Sequence, residues 1–170
     1  EVHFDFHDIY NSDVVCRCAV GDPPTGEAKI TNDFSIWYNN KKIGEHQSAR
    51  MLYSQGQAST FFSLSKDGSI KAWAEDQLIS TFYGLNEPIS TVKYIREKGW
   101  IIIIGKRDSF SVINARSMQS VALCTGHNSP VVNVKYRNGL FHALCKSAML
   151  YSWNIEGKLV SKRMSSLAKP

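Results

Sequence analysis

Apolar and polar residues alternate with a period of two in short runs, cut by turn formers about every ten residues, and this pattern predicts strands rather than helices. The clearest run is Lys66-Asp67-Gly68-Ser69-Ile70-Lys71-Ala72-Trp73, an Asp-Gly turn leading into an alternating strand that ends on tryptophan. Forty residues later Lys106-Arg107-Asp108-Ser109-Phe110-Ser111-Val112-Ile113 returns in register, and forty later again Lys146-Ser147-Ala148-Met149-Leu150-Tyr151-Ser152-Trp153. Thirty-six residues upstream, Thr31-Asn32-Asp33-Phe34-Ser35-Ile36-Trp37 has a weaker turn but sets Phe34 and Trp37 in the matching places. Between the copies the same order of strands recurs, at 89–94, 100–105, 109–113 and 119–124, then at 131–136, 140–145, 149–153 and 158–162. The spacing therefore predicts an all-β chain of four-stranded units over residues 1–170, with approximate bounds 1–48, 49–86, 87–128 and 129–165. An antiparallel sandwich also has short strands at this spacing, but its strands need not return in groups of four as Lys66, Lys106 and Lys146 do.

The period, the Asp-Gly turn before a strand ending in Trp, and Gly126-His127 twenty-six residues before Trp153 together resemble WD repeats over nearly the whole chain. The resemblance implies a β-propeller of WD40-like four-stranded antiparallel blades, about four in this chain. Rings of that family close with about seven blades, so an incomplete ring or part of a larger propeller is expected. The missing blades would come from a longer parent chain, a partner or a second copy. The resemblance also implies that the Gly-His pair enters the innermost strand, making His127 structural and bonded within its blade. It implies that Trp37, Trp73 and Trp153 end third strands and pack between blades, with Ile113 in the fourth such place. Asp67 takes the position of the turn aspartate that binds the family's histidine. The residues after the tryptophans are Tyr38, Ala74 and Asn154 rather than Asp, and Arg107 and Ser147 replace the turn aspartate in later copies. Those later units are expected to rest on apolar packing and to forgo hydrogen bonds worth about 0.5–1.5 kcal/mol each.

Composition changes this picture little. An apolar fraction of 43% and an aromatic fraction of 11% suit a folded domain, and a net charge of +5 favours acidic partners without marking a dedicated nucleic-acid binder. The longest apolar run, Trp100 to Ile104, is far short of the ~20 residues of a membrane-spanning helix. Residues 1–20 carry acids where an export signal would be basic, and Cys16, Cys18, Cys124 and Cys145 have no paired spacing. Reduced thiols in an intracellular protein, cytoplasmic or nuclear, are the expectation. The segment Gly21 to Gly26 is read as an exposed loop between the second and third strands of the first unit.

No chemistry emerges from the motifs. His3, His7, His46 and His142 lack metal-ligand spacing, no nucleophile elbow or phosphate loop occurs, and no cofactor, metal or catalytic residue is expected. Lys66, Lys106 and Lys146 instead share one position before the turn joining second and third strands. In propellers of the resembled family that turn lies beside the one entering the inner strand, here Pro88 and Ser90 in one unit and Pro130 and Val132 in the next. With Arg107 these residues form a candidate basic rim for an acidic or phosphorylated protein segment. The expected function is a non-catalytic scaffold or adaptor in a larger complex, with RNA or DNA contact through the same rim as the alternative. A basic end at Lys158, Lys162, Arg163 and Lys169 is read as solvated tail.

Overall fold

The computed structural model describes residues 13–21, 23–55, 59–83 and 85–165. Among them the chain is all-β, four antiparallel four-stranded sheets in the manner of propeller blades, with no helix. The first sheet holds β1 (Val14–Val20), β2 (Gly26–Thr31), β3 (Ser35–Tyr38) and β4 (Lys41–Glu45), and the second β5 (Ala49–Tyr53), β6 (Thr60–Ser65), β7 (Ser69–Ala74) and β8 (Gln77–Tyr83). The third holds β9 (Ile89–Ile95), β10 (Trp100–Gly105), β11 (Ser109–Asn114) and β12 (Gln119–Thr125), and the fourth β13 (Val131–Arg137), β14 (Leu140–Cys145), β15 (Met149–Trp153) and β16 (Leu159–Met164). In every sheet the strands lie in chain order, each paired with the next. The chain divides into two compact units, Glu1–Tyr83 and Gly84–Pro170, each containing two sheets.

In the first unit, alternation aims Val20, Ala28, Ile30 and Ile36 of one sheet at Leu52, Phe61 and Trp73 of the other. The rings of Tyr38, Phe61 and Trp73 stack in a row with centroids 6.1 and 6.2 Å apart. Gly44 admits the Trp73 ring, since a Cβ there would sit 2.7 Å from it. In the second unit, Ile102, Ile104, Phe110 and Val112 meet Phe141, Ala143, Tyr151 and Trp153. Trp153 stands edge-on to Phe110 with centroids 4.9 Å apart.

Strand boundaries of the third and fourth sheets agree with the sequence pattern to within one or two residues. Two readings of the first sheet need correction. The 21–26 loop joins the first and second strands, β1 and β2, because the chain before it is itself a strand; Asp22 lies outside the described residues. Trp37 does not occupy the place of Trp73. It pairs with Lys29 as Lys71 pairs with Ser63, two positions nearer the turn, and is only half-buried. Trp153 and Ile113 do share the Trp73 position, facing Phe141 and Ile101 across their sheets as Trp73 faces Phe61. All three are buried.

Candidate functional site

The three lysines precede the β6–β7, β10–β11 and β14–β15 turns, and one backbone hydrogen bond positions each. The Lys106 amide donates to the Pro88 carbonyl at 2.9 Å, Lys146 to Pro130 at 2.8 Å, and Lys66 to Ser48 at 3.1 Å. Each turn is thereby tied to the turn leading into its own sheet. In the second unit this brings Lys106 and Arg107 beside Pro88 and Ser90, and Lys146 beside Pro130 and Val132. Lys66 belongs to the first unit, where its neighbour is Ser48, a residue the sequence reading did not single out. The side chains of Lys66, Lys106, Arg107 and Lys146 are exposed, and none forms an ion pair with a described acid. Ser90 is exposed, Val132 is 58% exposed, and the two prolines are half-buried.

Three kinds of acceptor cap the turns between second and third strands. Asp67 accepts the Ser69 amide at 2.8 Å within its own turn, and Asp33 does the same for Ser35 at 3.2 Å. Where Arg107 replaces the turn acid, Glu87 reaches across from the leading turn and accepts the amides of Arg107 (2.8 Å), Asp108 (3.0 Å) and Ser109 (3.4 Å). Where Ser147 replaces it, the Ser129 hydroxyl accepts the Ser147 amide at 2.9 Å. The expectation that these later units forgo turn hydrogen bonds is therefore corrected: the acceptor moved to another part of the sequence. Gly105 makes room for Glu87, whose carboxylate would collide with any Cβ at that position.

Electrostatics follow from these contacts. Burial would push the Glu87 carboxyl up, but the amides of Asp108 and Arg107 outweigh it and hold it below the usual carboxylate range. Asp108 shares a hydrogen bond with Glu87 and is pushed up, with burial and the Glu87 charge acting the same way.

The histidine bonded within its blade is His46 rather than His127. Trp73 Nε1 donates to Ser63 Oγ at 2.9 Å, Ser63 Oγ meets His46 Nδ1 at 2.7 Å, and His46 Nε2 meets Ser69 Oγ at 2.8 Å. The Ser69 side chain also hydrogen-bonds the Asp67 carboxylate, which only accepts, so Ser69 Oγ receives Nε2–H and Nδ1 of the neutral ring accepts from Ser63. Burial pushes His46 down to about 4. The signal for it in the sequence is Gly44-Glu45-His46, a Gly-His pair opened by one residue. His127 is buried against Trp153 and Phe110, but neither ring nitrogen has a partner among the described residues. Its expected hydrogen bonding is thus corrected, because Trp153 Nε1 donates to the Thr125 carbonyl instead, at 2.7 Å.

All four cysteines are free, and burial pushes the Cys124 thiol up to about 12, out of reach of nucleophilic chemistry. Among the described residues no three His, Cys, Asp or Glu gather to hold a metal, and no helix is long and apolar enough to cross a membrane.

No family model matches the chain, and no curated protein matches it. Among solved structures, the crystal structure of the computationally designed Ika8 protein is similar, with a TM-score of 0.53 at 15% identity over 82% of this chain and 46% of that one. The chain spans about half the length of that designed protein, and a likeness at this identity speaks for the fold alone.

Proposed function

We propose that the chain is a non-catalytic, WD40-like propeller module that docks an acidic or phosphorylated protein segment on the turns carrying Lys106, Arg107 and Lys146 in the second unit, with Lys66 at the equivalent turn of the first, as an adaptor in a larger intracellular complex. The observation that carries this reading is the recurrence of an exposed lysine, without an ion-pair partner among the described residues, at the same tied turn in three sheets. The Trp73–Ser63–His46–Ser69 chain ending at Asp67 supports the family resemblance, since it joins a turn acid, a histidine and a strand-ending tryptophan. Missing blades would be supplied by a parent chain, a partner or a second copy.

Capture of partners from cell extract with the intact chain and with a Lys66→Glu, Lys106→Glu, Lys146→Glu variant tests this. Loss of a partner from the variant, with binding that weakens as salt rises, is expected; an undiminished or salt-insensitive partner overturns the reading. RNA or DNA bound at the same surface is the second reading, favoured by thirteen Lys and Arg against four Asp and Glu in residues 84–170. It predicts competition by oligonucleotides and a log–log salt slope of about −0.7 to −0.9 per phosphate neutralised.

A further inference from the structure

Residues 1–83 carry eleven acids against seven bases, so the basic excess of the chain resides wholly in residues 84–170. Part of that excess converges on an open groove of about 320 Å³ between β9 and β13, lined by Lys93, Tyr94, Glu97, Lys135, Tyr136 and Arg137. This groove lies toward the other end of those strands from the Pro88 and Pro130 turns. Lys93 and Lys135 are four or more residues past the turns, about 13 Å or more along a strand.

Lys93 is held rather than waving in solvent. Its Nζ donates to Asn133 Oδ1 at 2.8 Å and to the Val134 carbonyl at 2.7 Å, bridging the two sheets. Both acceptors are neutral, so its charge is fixed in place without a counter-ion. Burial and the neighbouring Lys135 both push Lys93 down from its ordinary value, the mark of a cation that an arriving anion would relieve. Lys135 and Arg137 are exposed and pair with no described acid.

We infer that this groove is an anion site taking one phosphorylated side chain from an extended partner segment, with Lys93 as the fixed cation and Lys135 and Arg137 closing on the phosphate. A nucleotide fits less well. The Tyr136 ring is already packed against Trp100 and Phe141, with centroids 4.9 and 4.8 Å away, and Lys98 Nζ stands 5.7 Å from its centroid, which leaves less of the ring for a base to stack on. Glu97 at the groove disfavours an unbroken acidic run and suits a single dianion with neutral or basic flanks. The inference rests on the protein-binding reading proposed above but uses different residues, so the two fail separately.

Amide NMR of the labelled full chain, titrated with acetyl-Gly-phosphoserine-Gly-amide, tests it. Saturable shifts confined to the β9 and β13 strands are expected, absent with the unphosphorylated peptide. Lys135→Gln and Arg137→Gln, both exposed and safe for the fold, should each weaken binding about tenfold, as loss of one charge-assisted hydrogen bond implies, whereas Lys106→Gln should not. No saturable shift, or shifts unaltered in the two variants, overturns the site. Tighter binding of AMP assigns the groove to nucleotides, and inorganic phosphate binding as well as the peptide assigns it to a free anion; either result overturns a peptide source.

Discussion

His46 shows how one residue can tie a strand, a turn and a core ring together. It is 2% exposed, with both ring nitrogens engaged by hydroxyls whose direction is set by the Asp67 carboxylate. Protonation would make Nδ1 a donor facing a donor. The folded pKa of about 4 lies below the unfolded value near 6.5, so the fold favours the neutral ring. Stability from this residue is complete above pH 6.5 and is lost as pH falls toward 4, by about 3 kcal/mol. Denaturant unfolding at pH 7, 6, 5 and 4 should trace that decline, and His46→Gln should flatten its share. Ser63→Ala strands both the Trp73 indole and Nδ1, and should cost about 1–3 kcal/mol in the same assay at pH 7. None of this was legible from Asp67 alone. The histidine stands outside a contiguous Gly-His pair, while the contiguous pair at 126–127 delivers a ring with no hydrogen-bond partner among the described residues.

At the scale of the element, strands were easier to read than what caps them. Alternation and the forty-residue return place β9 to β16 closely, because a one-residue slip would turn every core side chain to the other face. The caps escaped sequence reading because Glu87 and Ser129 stand about twenty residues from the turns they serve, a distance no local motif spans. Gly105→Ala should therefore act at a distance: its methyl displaces Glu87, uncaps the β10–β11 turn, and should lower stability by more than the few tenths of a kcal/mol typical of surface changes. Trp37 was misplaced because the short β3, four residues against six in β7, puts a tryptophan where the repeat has a lysine. The contrast is measurable by thermal unfolding. Trp73→Ala opens a cavity in the stacked row and should cost about 3–5 kcal/mol, whereas half-buried Trp37 should cost less than half of that.

For the whole molecule, the decisive question is what covers the sheet faces left partly open. In the second unit, Ile102, Ile104 and Phe110 are buried where the third sheet meets the fourth. At the positions forty residues on, alternation turns Leu144 and Leu150 away from that contact, and both are only half-buried. In the first unit, Trp37 and Lys29 alternate with Ile30, Ile36 and Tyr38, so the half-buried Trp37 lies on the face away from the second sheet. Lys29 Nζ stands 5.2 Å from its ring centroid. Apolar faces of this kind are the seats on which another blade would rest, and in dilute isolation nothing is offered to fill them. As concentration rises the chain meets its own copies, so static light scattering should report a molecular mass that climbs with concentration. Leu144→Lys should suppress that climb while leaving the melting temperature of the dilute chain nearly unchanged, because the residue is already half in water. A mass that stays monomeric at every concentration would mean these faces need no cover, and the supply of further blades from elsewhere would lose its physical ground.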